Sequence, residues 1–203
     1  MIEDFFRLSS DAVRYYPQPC ITSSLAPSIF SAALSALALQ QREPILATLH
    51  YYHDLLSFGF EMPAVSEFTG AEGEAYRNPT EIQQAVRQLV VSQGQLLTQR
   101  LLAGMMFTFP LDCVPDASGI LMTLFDLMPQ EAGIWIESTL RMAPAGTIKA
   151  GEAERLMKGI SDKIGSGEIG RIRAVLQGMF SFWESEPVGT LFSLFFSLSD
   201  RSC

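Results

Sequence analysis

The sequence is poor in the residues that usually mark a chemical site. Its 203 residues include three cysteines, Cys20, Cys113 and Cys203, and two histidines, His50 and His53. Cysteines that are widely spaced and odd in number make neither a disulfide framework nor a paired metal motif, so they read as reduced thiols of an intracellular protein. Basic residues are also in short supply: 14 Lys and Arg face 22 Asp and Glu, for a net charge of −8. Broad nucleic-acid binding needs the reverse balance, because phosphates are neutralised by cations. A basic protein partner suits this chain better. The opening run MIEDFFRLSS lacks the basic region and apolar core of a signal peptide. The longest apolar stretch, VGTLFSLFFSLS, falls short of the ~20 residues needed to span a bilayer. Neither secretion nor membrane insertion is expected, and no β-hairpin signal stands out.

What the chain does contain is amphipathic, helix-length segments in pairs. An apolar fraction of 48% is ample for a buried core. First segments begin near Ile2, Arg42, Val114 and Ala150, and second segments near Pro27, Thr80, Gln130 and Gly167. A period of roughly 40 residues carrying two helices is the spacing of HEAT or armadillo arrays. In such arrays each pair buries its apolar face only against its neighbours, and the stack offers an extended curved surface to partners. The expected fold is all-α, a right-handed α-α superhelix of about four helical hairpins plus a C-terminal segment. The units fall at about 1–40, 41–110, 111–145 and 146–183, with a loop insertion over 60–79 and a tail or divergent terminal helix over 184–203.

Proline and glycine punctuate these segments. Pro17 and Pro19 are expected to stop the first helix, since proline cannot donate to the helix ladder and restricts the residue before it. Pro27 suits the first turn of the second helix, which runs on through IFSAALSALALQ, and Pro44 suits the first turn of the third. Gly59 offers a C-terminal stop and Thr80 an N-cap, with a bend near Gly94 before an end at Pro110. The one- or two-residue junction at Pro129 makes the flanking helices antiparallel neighbours, and Pro144 closes that unit. Gly165, Ser166 and Gly167 separate AGEAERLMKGISDKI from GEIGRIRAVLQGMFSFW.

Candidate chemistry is sparse. His50 and Asp54 lie one helical turn apart, the spacing of a metal or general-base pair, but no third ligand or nucleophile accompanies them. They read as ordinary helix-face residues. Met105, Met106, Met122 and Met128 sit at helical spacing and read as core more than as an adaptable groove. GSGEIG lacks the preceding strand and the lysine of a nucleotide loop and reads as a turn. The charges from Glu152 to Lys163 form a solvated helix face. No catalytic residue, cofactor or metal site is expected, and the chain is expected not to be an enzyme.

Three stretches carry a family resemblance: LQQREPILATLHYYHDLLSFG over 39–59, GMMFTFPLDCVPDASGILMTLFDLMP over 104–129 and LRMAPAGTIKAGEAERLMKGI over 140–160. They resemble the C-terminal HEAT repeats of the transportin-SR branch of the importin-beta superfamily of karyopherins, similar to the fungal messenger-RNA transport regulator. The resemblance implies a receptor that binds protein cargo such as serine/arginine-rich RNA-binding proteins, shuttles between cytoplasm and nucleus, and needs no cofactor. It implies no direct contact with nucleic acid or membrane. Ran-GTP and nuclear-pore contacts belong mostly to N-terminal repeats not found in this sequence, so they are implied only for a full-length receptor. In importin-like solenoids the second helices line the concave surface. Here those segments carry Arg87, Arg100, Arg141, Arg171 and Arg173, while Asp4, Asp11, Asp54, Asp116 and Asp126 lie on the first segments. The arginines are the cargo-binding candidates, since a planar guanidinium fork suits the phosphates of a phosphorylated serine/arginine segment. A generic helical scaffold would share this architecture without the partners.

Overall fold

A computed structural model describes residues 1–62, 77–143, 151–166 and 168, and within them every regular element is a helix. In chain order these are α1 (Ile2–Tyr15), α2 (Pro17–Ile21), α3 (Ala26–Ala36), α4 (Arg42–Ser57), α5 (Thr80–Ala103), α6 (Val114–Leu127), α7 (Pro129–Met142) and α8 (Glu152–Gly165). A π-helical turn over Gly104–Thr108 and a 3₁₀ turn over Leu111–Cys113 join α5 to α6. The all-α expectation holds. The middle of the insertion, Pro144, the segment GEIGRIRAVLQGMFSFW and the tail 184–203 lie outside the described residues.

The helices form two layers. Helix α4 packs between α1 and α6, while α5 packs between α3 and α7, with α2 also against α5. Across the layers α3 meets α4, α5 meets α6 and α6 meets α7, and α8 rests on α7. First segments thus stack on first segments and second on second, the arrangement of a helical solenoid or hairpin stack.

Adjacent aromatics on α4 tie three helices together. The Tyr51 ring lies 5.7 Å from Phe6 of α1, while the Tyr52 ring lies 4.9 Å from Phe30 of α3, edge to face. Tyr52 is fully buried, and its hydroxyl donates to the Phe30 carbonyl at 2.8 Å. Its buried polar tip therefore has the partner that a low-dielectric interior demands. Met122 is buried, and Met105, Met106 and Met128 pack partly buried against the core, as their spacing suggested.

Several local readings need correction. Pro17 and Pro19 do not merely end α1. They open the extra helix α2, because a proline in the first turn loses an N–H that has no helical partner anyway. Helix α3 stops at Ala36 and leaves the following residues in tight turns from Ala33 and Ser35. Thr80 is the first helical residue of α5, and Pro79 holds the cap position without a side-chain bond. Gly59 follows the end of α4 but does not adopt the left-handed conformation of a glycine cap. Its role is steric: a Cβ there would sit 2.7 Å from Leu127 Cδ2. Likewise α5 runs on as α-helix through Gly94, where a Cβ would meet the Trp135 ring at 2.6 Å. This glycine is a notch that seats α7 against α5.

The ends of the insertion are anchored. Asn78 is buried, its Nδ2 donates to the Phe60 carbonyl at 2.9 Å, and its backbone N–H donates to Glu61 O at 2.8 Å. Arg77 and Glu61 pair above this at 2.6 Å.

Candidate protein-binding surface

The two layers present different chemistry to solvent. On the α1–α4–α6 side, Asp4, Arg7, Asp11, Arg14, Arg42, Glu43, Asp112 and Asp126 are exposed, and charges of both signs pair there. Arg7 meets Glu3 at 2.7 Å, and Arg42 meets Asp112. On the other side, Ser31 and Ser35 of α3, Gln84, Gln88, Val91 and Gln95 of α5, and Gln130 and Ile134 of α7 are exposed. This second face is rich in amides and hydroxyls, with Glu81 and Arg87 of α5 and Glu131 and Arg141 of α7 also exposed.

The arginines of the second helices are placed variously. Arg87 Nη1 donates to the Leu127 carbonyl at 3.0 Å, which satisfies an orphan acceptor at the end of α6 and sets a cation at the negative helix terminus. Arg100 is half-buried near the end of α5. Arg141 is exposed and pairs with Glu137 one turn earlier at 2.6 Å. Arg171 and Arg173 lie outside the described residues.

The histidines pair otherwise than their spacing suggests. His50 Nε2 lies 3.8 Å from Asp116 Oδ2 on α6, while His53 Nδ1 lies 3.6 Å from Asp54 Oδ1. Ser10 of α1 donates to the other Asp54 oxygen, and Arg14 approaches that oxygen at 3.9 Å. His53 and Ser10 thus meet opposite oxygens of one carboxylate, so the imidazole is not set to take the hydroxyl proton as a nucleophile's base must. Interaction with Asp54 raises the His53 pKa above its ordinary 6.5, Asp116 adds to this, and partial burial and Arg14 oppose it. The cluster reads as a polar seam between α1 and α4. Burial lifts the Cys113 thiol to about 11, assisted by Asp112, which disfavours a reactive thiolate. Among the described residues, no three His, Cys, Asp or Glu are grouped to hold a metal ion, and no helix is long and apolar enough to cross a membrane.

A groove of about 450 Å³ opens on the amide-rich side between α2–α3 and α5. Ile21, Ala26, Ala85 and Leu89 contribute apolar lining, and Glu81, Gln84 and Gln88 stand along the α5 edge. Sequence reading missed this site. The spacing of Glu81, Gln84 and Gln88 along one helical face is visible in the sequence. The opposite wall is only partly so: Pro27 opens an expected helix, but Pro17 and Pro19 masked α2, which supplies Ile21.

Comparison with known proteins gives two relatives. An uncharacterized protein of Schizosaccharomyces pombe is 33% identical over 181 residues, covering 87% of this chain and 18% of that protein. The mRNA transport regulator MTR10 of Saccharomyces cerevisiae is 21% identical over 199 residues, covering 94% of this chain and 20% of that protein. The chain therefore spans about a fifth of the length of the curated relatives it matches. No protein-family model matches it.

Proposed function

We propose that this chain is the C-terminal portion of a nuclear import receptor of the importin-beta superfamily, non-enzymatic, which binds protein cargo for passage through the nuclear pore. The observation that carries this reading is the similarity to an mRNA transport regulator along 94% of the chain, over a fold built of two stacked helical layers. Serine/arginine-rich RNA-binding proteins are the cargo class the resemblance suggests, and the net charge of −8 favours such basic partners. The receptor shuttles between cytoplasm and nucleus. Ran-GTP and pore contacts are properties of the full-length receptor.

The mechanism rests on the stack. Each helical pair touches only its neighbours, so small changes at successive junctions alter the curvature of the whole. Cargo and Ran-GTP that favour different curvatures are then coupled, and each weakens the other's binding by the same factor. The test is capture of a purified serine/arginine-rich protein by the intact receptor, with and without Ran-GTP, and with this portion present or deleted. The expected result is that deletion weakens capture. Undiminished capture without this portion would refute a cargo role and leave a helical scaffold as the reading.

A further inference from the structure

We propose that the outer face of α4 carries a pH-sensitive clasp: His50 and His53, when protonated, tie α4 to α6 and to α1 through Asp116 and Asp54, and on losing their protons they loosen both junctions of the first layer. The clasp lies in the first layer, whatever the stack binds.

A row of charge crosses three helices. Arg14 of α1 stands 3.9 Å from one oxygen of Asp54 on α4, His53 stands 3.6 Å from the other, and His50 stands 3.8 Å from Asp116 of α6. Asp116 also acts on His53, so the two histidines share it. Ser10, buried on α1, donates to the Asp54 oxygen that Arg14 approaches. These are the only two histidines of the chain. Both fall on the helix that packs between the other two first-layer helices. Unperturbed histidine is the side chain whose charge changes between about pH 5 and 8, so the row is where this fold responds to pH near neutrality.

The sign of the response follows from the charges. With both imidazoles neutral, one cation, Arg14, faces two carboxylates. With both protonated, each carboxylate has a cation of α4 beside it. The charged groups that face the histidines are Asp54 on α4 itself, Arg14 on α1 and Asp116 on α6. Helix α3 has no ionisable side chain, and Asp112 of the 3₁₀ turn is taken up by Arg42. Asp54, helped by Asp116, raises the His53 pKa above 6.5 against partial burial and Arg14. The contribution of His53 is therefore complete below pH 6.5 and is lost as pH rises through the folded value. The Asp54 side chain is only 16% exposed, so a counter-charge lost there is felt more than on the open surface. In a stack whose helical pairs touch only their neighbours, easing these junctions alters the curvature of the layer.

The test is amide hydrogen exchange of the full chain, read by mass spectrometry and corrected for the intrinsic pH dependence of exchange. Protection of α1 and of the N-terminal turns of α6, where Asp116 lies, should fall about two- to tenfold from pH 6 to pH 8, the scale of two half-exposed ion pairs. Protection of α5 and α7 in the second layer, which hold no histidine, should change less. His53→Gln should remove most of the fall in α1, and His50→Gln most of the fall in α6. Both side chains are exposed, and circular dichroism of each variant confirms an unchanged fold. The amino terminus also titrates in this range and meets Asp4 on α1, but both variants keep it, so the part of the fall that histidine substitution removes is not its own. Raised salt should shrink the effect in the parent protein. Protection of α1 and α6 that follows α5 and α7 across the pH range, or a fall undiminished in both histidine variants, would overturn the inference.

Discussion

Gly94 offers the sharpest test of how the second layer is held together. A Cβ added there would lie 2.6 Å from Trp135 Cη2 and Cζ3 and 3.3 Å from Cζ2, well inside ordinary contact. The indole is buried and reaches the notch from α7, so it must retreat by about 1 Å to restore a normal carbon–carbon separation. Overpacking of this kind costs about 1–3 kcal/mol. Opposing it, replacing glycine by alanine in a helix stabilises by about 0.4–1 kcal/mol through the unfolded chain. Gly94→Ala should therefore lose about 1–2 kcal/mol in urea unfolding. Gly119 in α6 is the control, because a Cβ there meets nothing within 4 Å. Gly119→Ala should gain the ~0.4–1 kcal/mol that Gly94→Ala forfeits. In a Trp135→Leu background the clash is removed, so Gly94→Ala should become neutral or stabilising, with a coupling of about 1–3 kcal/mol. If Gly94→Ala stabilises the parent protein as much as Gly119→Ala does, the notch is not what seats α7, and the account of the second layer is wrong.

Three further outcomes follow from the packing. Gly59→Ala should lose about 1 kcal/mol by pressing on Leu127, with no backbone penalty because Gly59 is not left-handed; chemical denaturation reads this directly, and a gain would contradict it. Tyr52→Phe should cost about 1 kcal/mol, the net worth of one buried hydrogen bond, measured against the parent in the same denaturant series. His53 is a pH reporter. Because its folded pKa is raised above 6.5, its contribution is complete below that pH and is lost as pH rises through the folded value. The stability gap between the parent and His53→Gln should thus narrow from pH 5.5 toward pH 8.5, and nuclear magnetic resonance should show the His53 pKa falling in Asp54→Asn.

The helical character and its alternation were written in the sequence because amphipathic spacing repeats with a fixed period. Proline positions helped, since Pro27, Pro115 and Pro129 all fall in first turns where a missing N–H costs nothing. Legibility failed where one residue type serves two purposes. Pro17 and Pro19 fit a stop or a start equally well, and only the neighbours that α2 packs on, α1 and α5, decide for a start. Gly59 and Gly94 look like a cap and a bend, yet both are places where a distant side chain needs room. Arg87 looks like a free cation until the Leu127 carbonyl, 40 residues away, accepts a hydrogen bond from it.

Local physics therefore determined by itself which segments coil into helices and how they alternate, because periodicity and first-turn chemistry act within a few residues. Tertiary structure alone decided which helices share a layer, which arginine is spent on a helix end, which carboxylate joins Ser10 to His53, and where a groove opens. Those outcomes depend on side chains brought together from across the chain, and the steric and electrostatic terms that select them do not exist until the layers have packed.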